Sequence, residues 1–134
     1  MRMMNKLWLL ALLPLAACST QQYGLDVPIS GHPSFVFGNN LQCEILASTE
    51  KDEIGKIITL MDLETDQPRS LFASGTDSPM KKISEHDDTL TIQLATAGGS
   101  IDSITLDKET GIFARAVVGN IGSPYAGASR GTCK

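Results

Sequence analysis

The chain has little of what chemistry usually needs. Histidine occurs twice in 134 residues, as His32 and His86. A zinc site asks for several Cys or His ligands, and a nucleophilic triad asks for a Ser or Cys beside a His that an acid orients. His32 stands next to Pro33 in a polar stretch, and His86, the one credible base, sits in the acidic sequence Glu85-His86-Asp87-Asp88, which reads as a solvated hairpin end. Those acids have neither the spacing nor the glycine of a calcium loop. There is no Gly-x-Ser-x-Gly elbow, no phosphate loop and no dinucleotide fingerprint. The sequence therefore predicts no catalytic residue, no metal and no cofactor, and an enzyme is the least favoured class; as a hydrolase, so small a domain leaves little room for a substrate cleft. Basic clusters are also missing beyond Lys81-Lys82, which argues against nucleic acid as a partner. Aromatic residues are scarce, with four Phe, two Tyr and one Trp, so any core must be built from Ile, Leu, Val, Met and Ala.

What is present begins at the amino terminus. Arg2 and Lys6 precede an unbroken apolar run from Leu7 to Ala17, 11 residues long. A bilayer span needs about 20 apolar residues, so this run is too short for one and has the layout of a secretory signal peptide. It ends in Leu15-Ala16-Ala17-Cys18. That stretch resembles the lipobox of bacterial lipoproteins at every position. The resemblance implies a cleaved signal peptide over residues 1–17, diacylglyceryl transfer to the thiol of Cys18, and attachment to a membrane through acyl chains. Two or three such chains, at about 0.8 kcal/mol per buried CH₂, make attachment effectively permanent. Ser19 follows the cysteine, where Asp commonly marks inner-membrane retention in the lipoproteins of Gram-negative bacteria. The expected location is thus the periplasmic face of the outer membrane, with the inner membrane as the alternative.

Removing residues 1–17 leaves nine basic and fifteen acidic side chains, a formal charge of −6 on 117 residues. An acidic chain gains nothing from anionic lipid, so acyl groups rather than a basic patch must hold the membrane. With Cys18 acylated, Cys43 and Cys133 remain. In an oxidising compartment an even pair near the two ends of a domain is expected to form a disulfide. Residues 18–34 contain isolated apolar residues, prolines and glycines and read as a lipidated tether; as a flexible coil, residues 19–34 would reach about 20–24 Å.

From residue 35 to 134 the pattern is that of one all-β domain. Phe35-Val36-Phe37 fits a short strand, and Leu41 to Ser48 fits another, with Cys43, Ile45 and Ala47 on one side. β-Branched residues favour a strand within Ile54 to Leu63. Arg69 to Ser74 is weaker and is closed by the turn Gly75-Thr76-Asp77-Ser78-Pro79; Met80 to Glu85 follows, with Ile83 as its core contact. The clearest alternation is Thr89 to Ala95, where Leu90, Ile92 and Leu94 face one way. Ala97-Gly98-Gly99-Ser100 supplies a hairpin turn, Ile101 to Leu106 returns, Asp107 to Gly111 turns again, and Ile112 to Val118 pairs back. Ala128 to Cys133 reads as an edge strand. Short strands about ten residues apart predict a small antiparallel meander of about seven or eight strands, either an open sheet or a barrel.

The opening Cys43-Glu44, the turn Leu106 to Phe113 and the closing Gly131-Thr132-Cys133 resemble small secreted β proteins of Gram-negative bacteria, a likeness that implies the fold and the disulfide. Ser74-Gly75 invites a second comparison. It resembles the cleft-entering Ser-Gly loop of the membrane-bound inhibitors of C-type lysozyme, lipoproteins with a small β-barrel and a disulfide to a C-terminal cysteine. That family has Tyr three residues after its Gly, where this chain has Ser78, and its later Lys-Gly motif is absent. The leading expectation is an envelope lipoprotein that serves as a binding or structural module, its partner a protein of the envelope. The alternative is a periplasmic lysozyme inhibitor with Ser74 and Gly75 as binding residues.

Overall fold

The computed structural model describes residues 25–72, 75–120 and 122–134. The expected signal helix, Cys18 and Ser74 lie outside the described residues. Among the described residues nine strands form: β1 Leu41–Ser48, β2 Ile57–Met61, β3 Arg69–Phe72, β4 Asp77–Pro79, β5 Lys81–Glu85, β6 Thr89–Ala95, β7 Ile101–Asp107, β8 Ile112–Asn120 and β9 Pro124–Cys133. A single 3-10 turn, Lys51–Glu53, follows β1. All nine strands join one antiparallel sheet in the order β4-β3-β2-β1-β9-β8-β7-β6-β5.

That order forces the sheet to curl. β4 and β5 are its two edges, yet Met80 alone separates them in the chain. Two Cα atoms flanking one residue can be no more than about 7 Å apart. The edges therefore meet at Met80, whose amide donates to the Pro68 carbonyl at 2.8 Å. The result is a nearly closed barrel, an all-β antiparallel meander as the alternation predicted. Its strand count exceeds the expected seven or eight because Asp77-Ser78-Pro79, read as turn, pairs with β3. Taken as two halves of one bent strand, β4 and β5 bring the count to eight.

Strand geometry sends alternate side chains inward, and the inward positions form the core: Leu41, Cys43 and Ile45 from β1, Ile58 and Leu60 from β2, Leu90 and Ile92 from β6, Ile104 and Leu106 from β7, and Phe113 from β8. Cys43 and Cys133 face each other across β1 and β9 at disulfide-bonding distance. The flanking residues Gln42 and Lys134 exchange both backbone hydrogen bonds, at 3.0 and 2.9 Å. The cysteines thus occupy the closer, non-hydrogen-bonded kind of antiparallel pair, where side chains approach most nearly. A cross-link over 90 residues removes chain entropy from the unfolded state worth ~4–5 kcal/mol in the loop-closure account.

Three local expectations are corrected. The terminal stretch is not an edge: β9 begins at Pro124 and pairs with β8 on one side and β1 on the other. Its glycine and alanine content makes it a weak strand in sequence, but small size is what the position needs. A Cβ on Gly131 would run into the Glu44 carbonyl and come within 2.7 Å of the Phe113 ring. Ile83 is not a core contact. The pairing register of β5 slips between Lys82 and Ser84, so Ile83 is the extra residue of a bulge and is 51% exposed. Phe35-Val36-Phe37 alternates as expected, with Val36 79% exposed, but forms no strand. Phe35 and Phe37 instead pack against the core.

The approach to β1 also differs from a free tether over residues 25–34. The Leu25 carbonyl accepts from Arg130 Nη1 at 3.0 Å, and the Phe35 amide donates to the His32 carbonyl at 3.0 Å. Gly31 lies so close to Thr110, and Gly111 to the Phe35 ring, that a Cβ at either glycine would collide; Gly111 also has φ 75°, where side chains are disfavoured. The amino-terminal segment is therefore seated on β9 and on the β7–β8 turn. That turn lies at the lower end of the barrel, as do the β2–β3 and β5–β6 turns. The loop between β1 and β2 and the β3–β4, β6–β7 and β8–β9 turns lie at the other, upper end.

Candidate functional site

Residue parity on β8 is the starting point. Phe113, Arg115 and Val117 alternate with the exposed Ala114, Ala116 and Val118, so Arg115 enters the barrel one pleat above Phe113. Asp102 on β7 shares the inward parity of Ile104 and Leu106. A buried charge is tolerated only when paired and hydrogen-bonded, and Arg115 is held from several sides. Its Nε donates to Asp102 Oδ1 at 3.0 Å and Oδ2 at 3.2 Å, and Nη2 donates to Oδ2 at 2.9 Å. Nη1 donates to Glu53 Oε1 at 3.2 Å. The guanidinium carbon lies 4.4 Å from the centroid of the Phe72 ring, a cation–π distance.

The side chains of Arg115 and Asp102 are 10% and 12% exposed. Burial alone pushes the guanidinium pKa down, but the Asp102 carboxylate, with help from Glu53, outweighs it and holds the pKa above its ordinary value. Glu53 is fixed in turn. Its Oε2 accepts from Ser48 Oγ at 3.0 Å, and the same hydroxyl accepts the Glu50 amide at 2.9 Å. The 3-10 turn after β1 thus brings Glu50 and Glu53 over the barrel end.

Above this cluster is a concave mouth of about 210 Å³, lined by Glu50, Glu53, Arg115, Val117 and, from β9, Tyr125, Gly127, Ala128 and Ser129. Ser129 pairs in register with Arg115 on one side and Ser48 on the other, so it shares their inward face. It is 1% exposed, and its hydroxyl has no hydrogen-bond partner among the described residues. A buried polar group left unpaired costs about 1–3 kcal/mol.

Of the residues singled out in the sequence, Cys43 and Cys133 come together at the lower end of the barrel. Gly75 is exposed with φ 81° in the turn after β3, where its amide donates to the Phe72 carbonyl at 2.8 Å. Because Phe72 packs on Arg115, this turn lies at the mouth end. His86 is exposed, its amide donating to the Thr89 carbonyl at 2.8 Å. Among the described residues no group of three or more His, Cys, Asp or Glu could hold a metal ion, and no helix is long and apolar enough to cross a membrane.

No family model, curated protein or solved structure matches the chain. The site must accordingly be read from its own chemistry. Arg115, Asp102 and Glu53 escaped the sequence reading, although two of them carried a signal: in Phe113-Ala114-Arg115-Ala116-Val117 and in Asp102-Ser103-Ile104 a charge falls on the apolar parity. Glu53 carried none, since it sits in a polar loop.

A second hollow of about 490 Å³ borders Asp62, Asp66 and Arg69 near the β2–β3 turn. Arg69 pairs there with Asp62 at 2.9 Å and Asp77 at 2.8 Å, which raises its pKa through the Asp62 hydrogen bond first. All three side chains are 38–50% exposed, and exposed ion pairs of this kind contribute little.

Proposed function

We propose that this protein is a lipid-anchored binding module of the bacterial envelope, held through Cys18 and presenting the upper mouth of its barrel to a protein partner. The observation that carries the reading is the concave mouth itself, where Arg115, Glu53 and Ser129 come together. The amino-terminal segment is seated against the β7–β8 turn at Gly31 and against Arg130 of β9 at Leu25, which leaves the mouth uncovered by residues 25–34. Leu15-Ala16-Ala17-Cys18 supports the anchor, and the acidic chain supports acyl groups as its means.

The test pairs fractionation with site-specific photo-crosslinking in cells. Cys18→Ser should shift the protein out of the membrane fraction or leave it as precursor, and an unmodified Cys18 in the mature protein by mass spectrometry would overturn the anchor. A photo-crosslinking residue at Tyr125 should give discrete protein adducts that one at Asp66 does not. Equal adducts at both positions, or none at Tyr125, would overturn the mouth as the binding end.

The lysozyme-inhibitor reading is supported by one placement, that of Gly75 at the mouth end. Stoichiometric inhibition of C-type lysozyme that is lost on Ser74→Trp would establish it, and no inhibition would remove it.

A further inference from the structure

We infer that the mouth receives one cationic side chain, an arginine or lysine presented by the protein partner. The inference rests on the binding-module reading and names what that module recognises. Size comes first. Pockets for drug-sized ligands run to about 300–1,000 Å³, whereas the mouth offers about 210 Å³, room for one long side chain and little else.

Charge gives the sign. Among the described residues that line the mouth Arg115 is the one cation, and its donors are directed at Asp102 and Glu53, with Phe72 against its face. One guanidinium thus faces two carboxylates, and the Glu50 carboxylate at the rim has no ion-pair or hydrogen-bond partner among the described residues. The cluster carries a formal excess of two negative charges. Neighbouring Lys51 and Asp52 cancel one another. An anionic ligand would meet repulsion and find Arg115 already engaged, while an incoming guanidinium or ammonium finds carboxylate oxygens that still have lone pairs to offer.

A group of acids alone would not define a site. The second observation is the Ser129 hydroxyl, buried, without a partner among the described residues and on the inward face of the strand that lines the mouth. Native structures leave few such groups, and a donor arriving through the mouth would give this one a partner. Val117 and Tyr125 border the same space, apolar surface suited to the methylene stem of a long cationic side chain.

The experiment titrates three probes into the full-chain protein in detergent micelles and follows amide chemical shifts: N-acetyl-arginine methylamide, the neutral isostere N-acetyl-citrulline methylamide, and N-acetyl-glutamate methylamide. The arginine probe should shift the amides of Glu50, Glu53, Val117 and Ser129 in a saturable way, and citrulline should bind about tenfold more weakly or not at all. Glu50→Gln, at an exposed rim position outside the core, should weaken the arginine probe several-fold. Ser129→Ala should keep or raise the unfolding midpoint, since it removes an unpaired buried hydroxyl, and should still weaken the probe. Citrulline binding as well as arginine, preference for glutamate, shifts spread equally over Asp66, Asp87 and Glu109, or indifference to Glu50→Gln would each overturn the inference. Retained crosslinks at Tyr125 without arginine preference would overturn the cationic side chain alone, whereas absent crosslinks overturn the module itself.

Discussion

Inward positions of the lower barrel carry Leu90, Leu106 and Phe113, packed with Ile45 and Leu60. One pleat higher, Ile92 and Ile104 continue that core, but their neighbour in the row is Arg115, followed by Ser129 and Ser48. The same alternation thus serves two ends. Below, it removes apolar area from water at about 25 cal/mol per Å². Above, it brings in charges that must be neutralised by Asp102 and Glu53, and such ionic groups stabilise a fold weakly while being costly to break. The contrast separates the part that holds the barrel together from the part whose polar groups need a reason to be there.

The largest way to break the contrast is Asp102→Ala. It leaves a mostly buried guanidinium short of its closest partner and should lower stability by ~3 kcal/mol or more in a denaturant titration. Arg115→Met combined with Asp102→Ala should lose less than the two single changes added, a coupling that a double-mutant cycle measures. Additive losses would mean that the cluster is not a unit.

In the apolar core, Ile92→Ala should cost ~2–5 kcal/mol, against at most about 0.5 kcal/mol for Gln93→Ala on the opposite face of β6. Equal losses would contradict the inward and outward faces of that strand. Replacing Cys43 and Cys133 together by Ser should cost ~2–4 kcal/mol, read as a lower unfolding midpoint than that of the oxidised protein and matched by reducing the wild type.

The smallest effect lies in the lower turns and sharpens the comparison by pH. Asp107 Oδ1 accepts the amides of Glu109 at 2.8 Å and Thr110 at 3.0 Å. The Thr110 bond chiefly, with the Glu109 bond, holds its carboxyl below the ordinary 3.8. A carboxyl depressed by folding stabilises the fold above its unfolded pKa and loses that contribution as pH falls through the folded one. Asp107→Asn keeps the acceptor and removes the charge. Its deficit, about 1 kcal/mol at neutral pH, should be constant above about pH 5 and shrink as the pH drops below the unfolded value. Glu85, lowered first by its hydrogen bond from Lys82 and then by that from Lys108, should add to acid sensitivity in the same direction.

Strand positions with a strict period of two could be read from one sequence. Leu41–Ser48 and Thr89–Ala95 begin and end where the alternation says, because each has one face that must leave water. Where an isolated segment gives little local signal, partners decided. Pro124–Cys133 is rich in small residues and looks marginal alone, yet the gap between β8 and β1 admits nothing larger at Gly131. Asp77–Pro79 looks like a turn and becomes a strand because β3 is there to pair with it. Phe35 and Phe37 have strand character but no neighbouring edge, so they pack on the barrel end instead.

Composition and alternation by themselves determined that this chain forms an antiparallel β domain, that its two domain cysteines stand at the limits of that domain, and which faces of its strongest strands are buried. These follow from local sterics and from the transfer of apolar side chains out of water, both of which act residue by residue. Only the tertiary structure decided that β4 and β5 meet to close the sheet and that Arg115, Asp102, Glu53 and Ser129 converge on one mouth. Their convergence depends on register between strands far apart in the chain, and no local pattern carries that information.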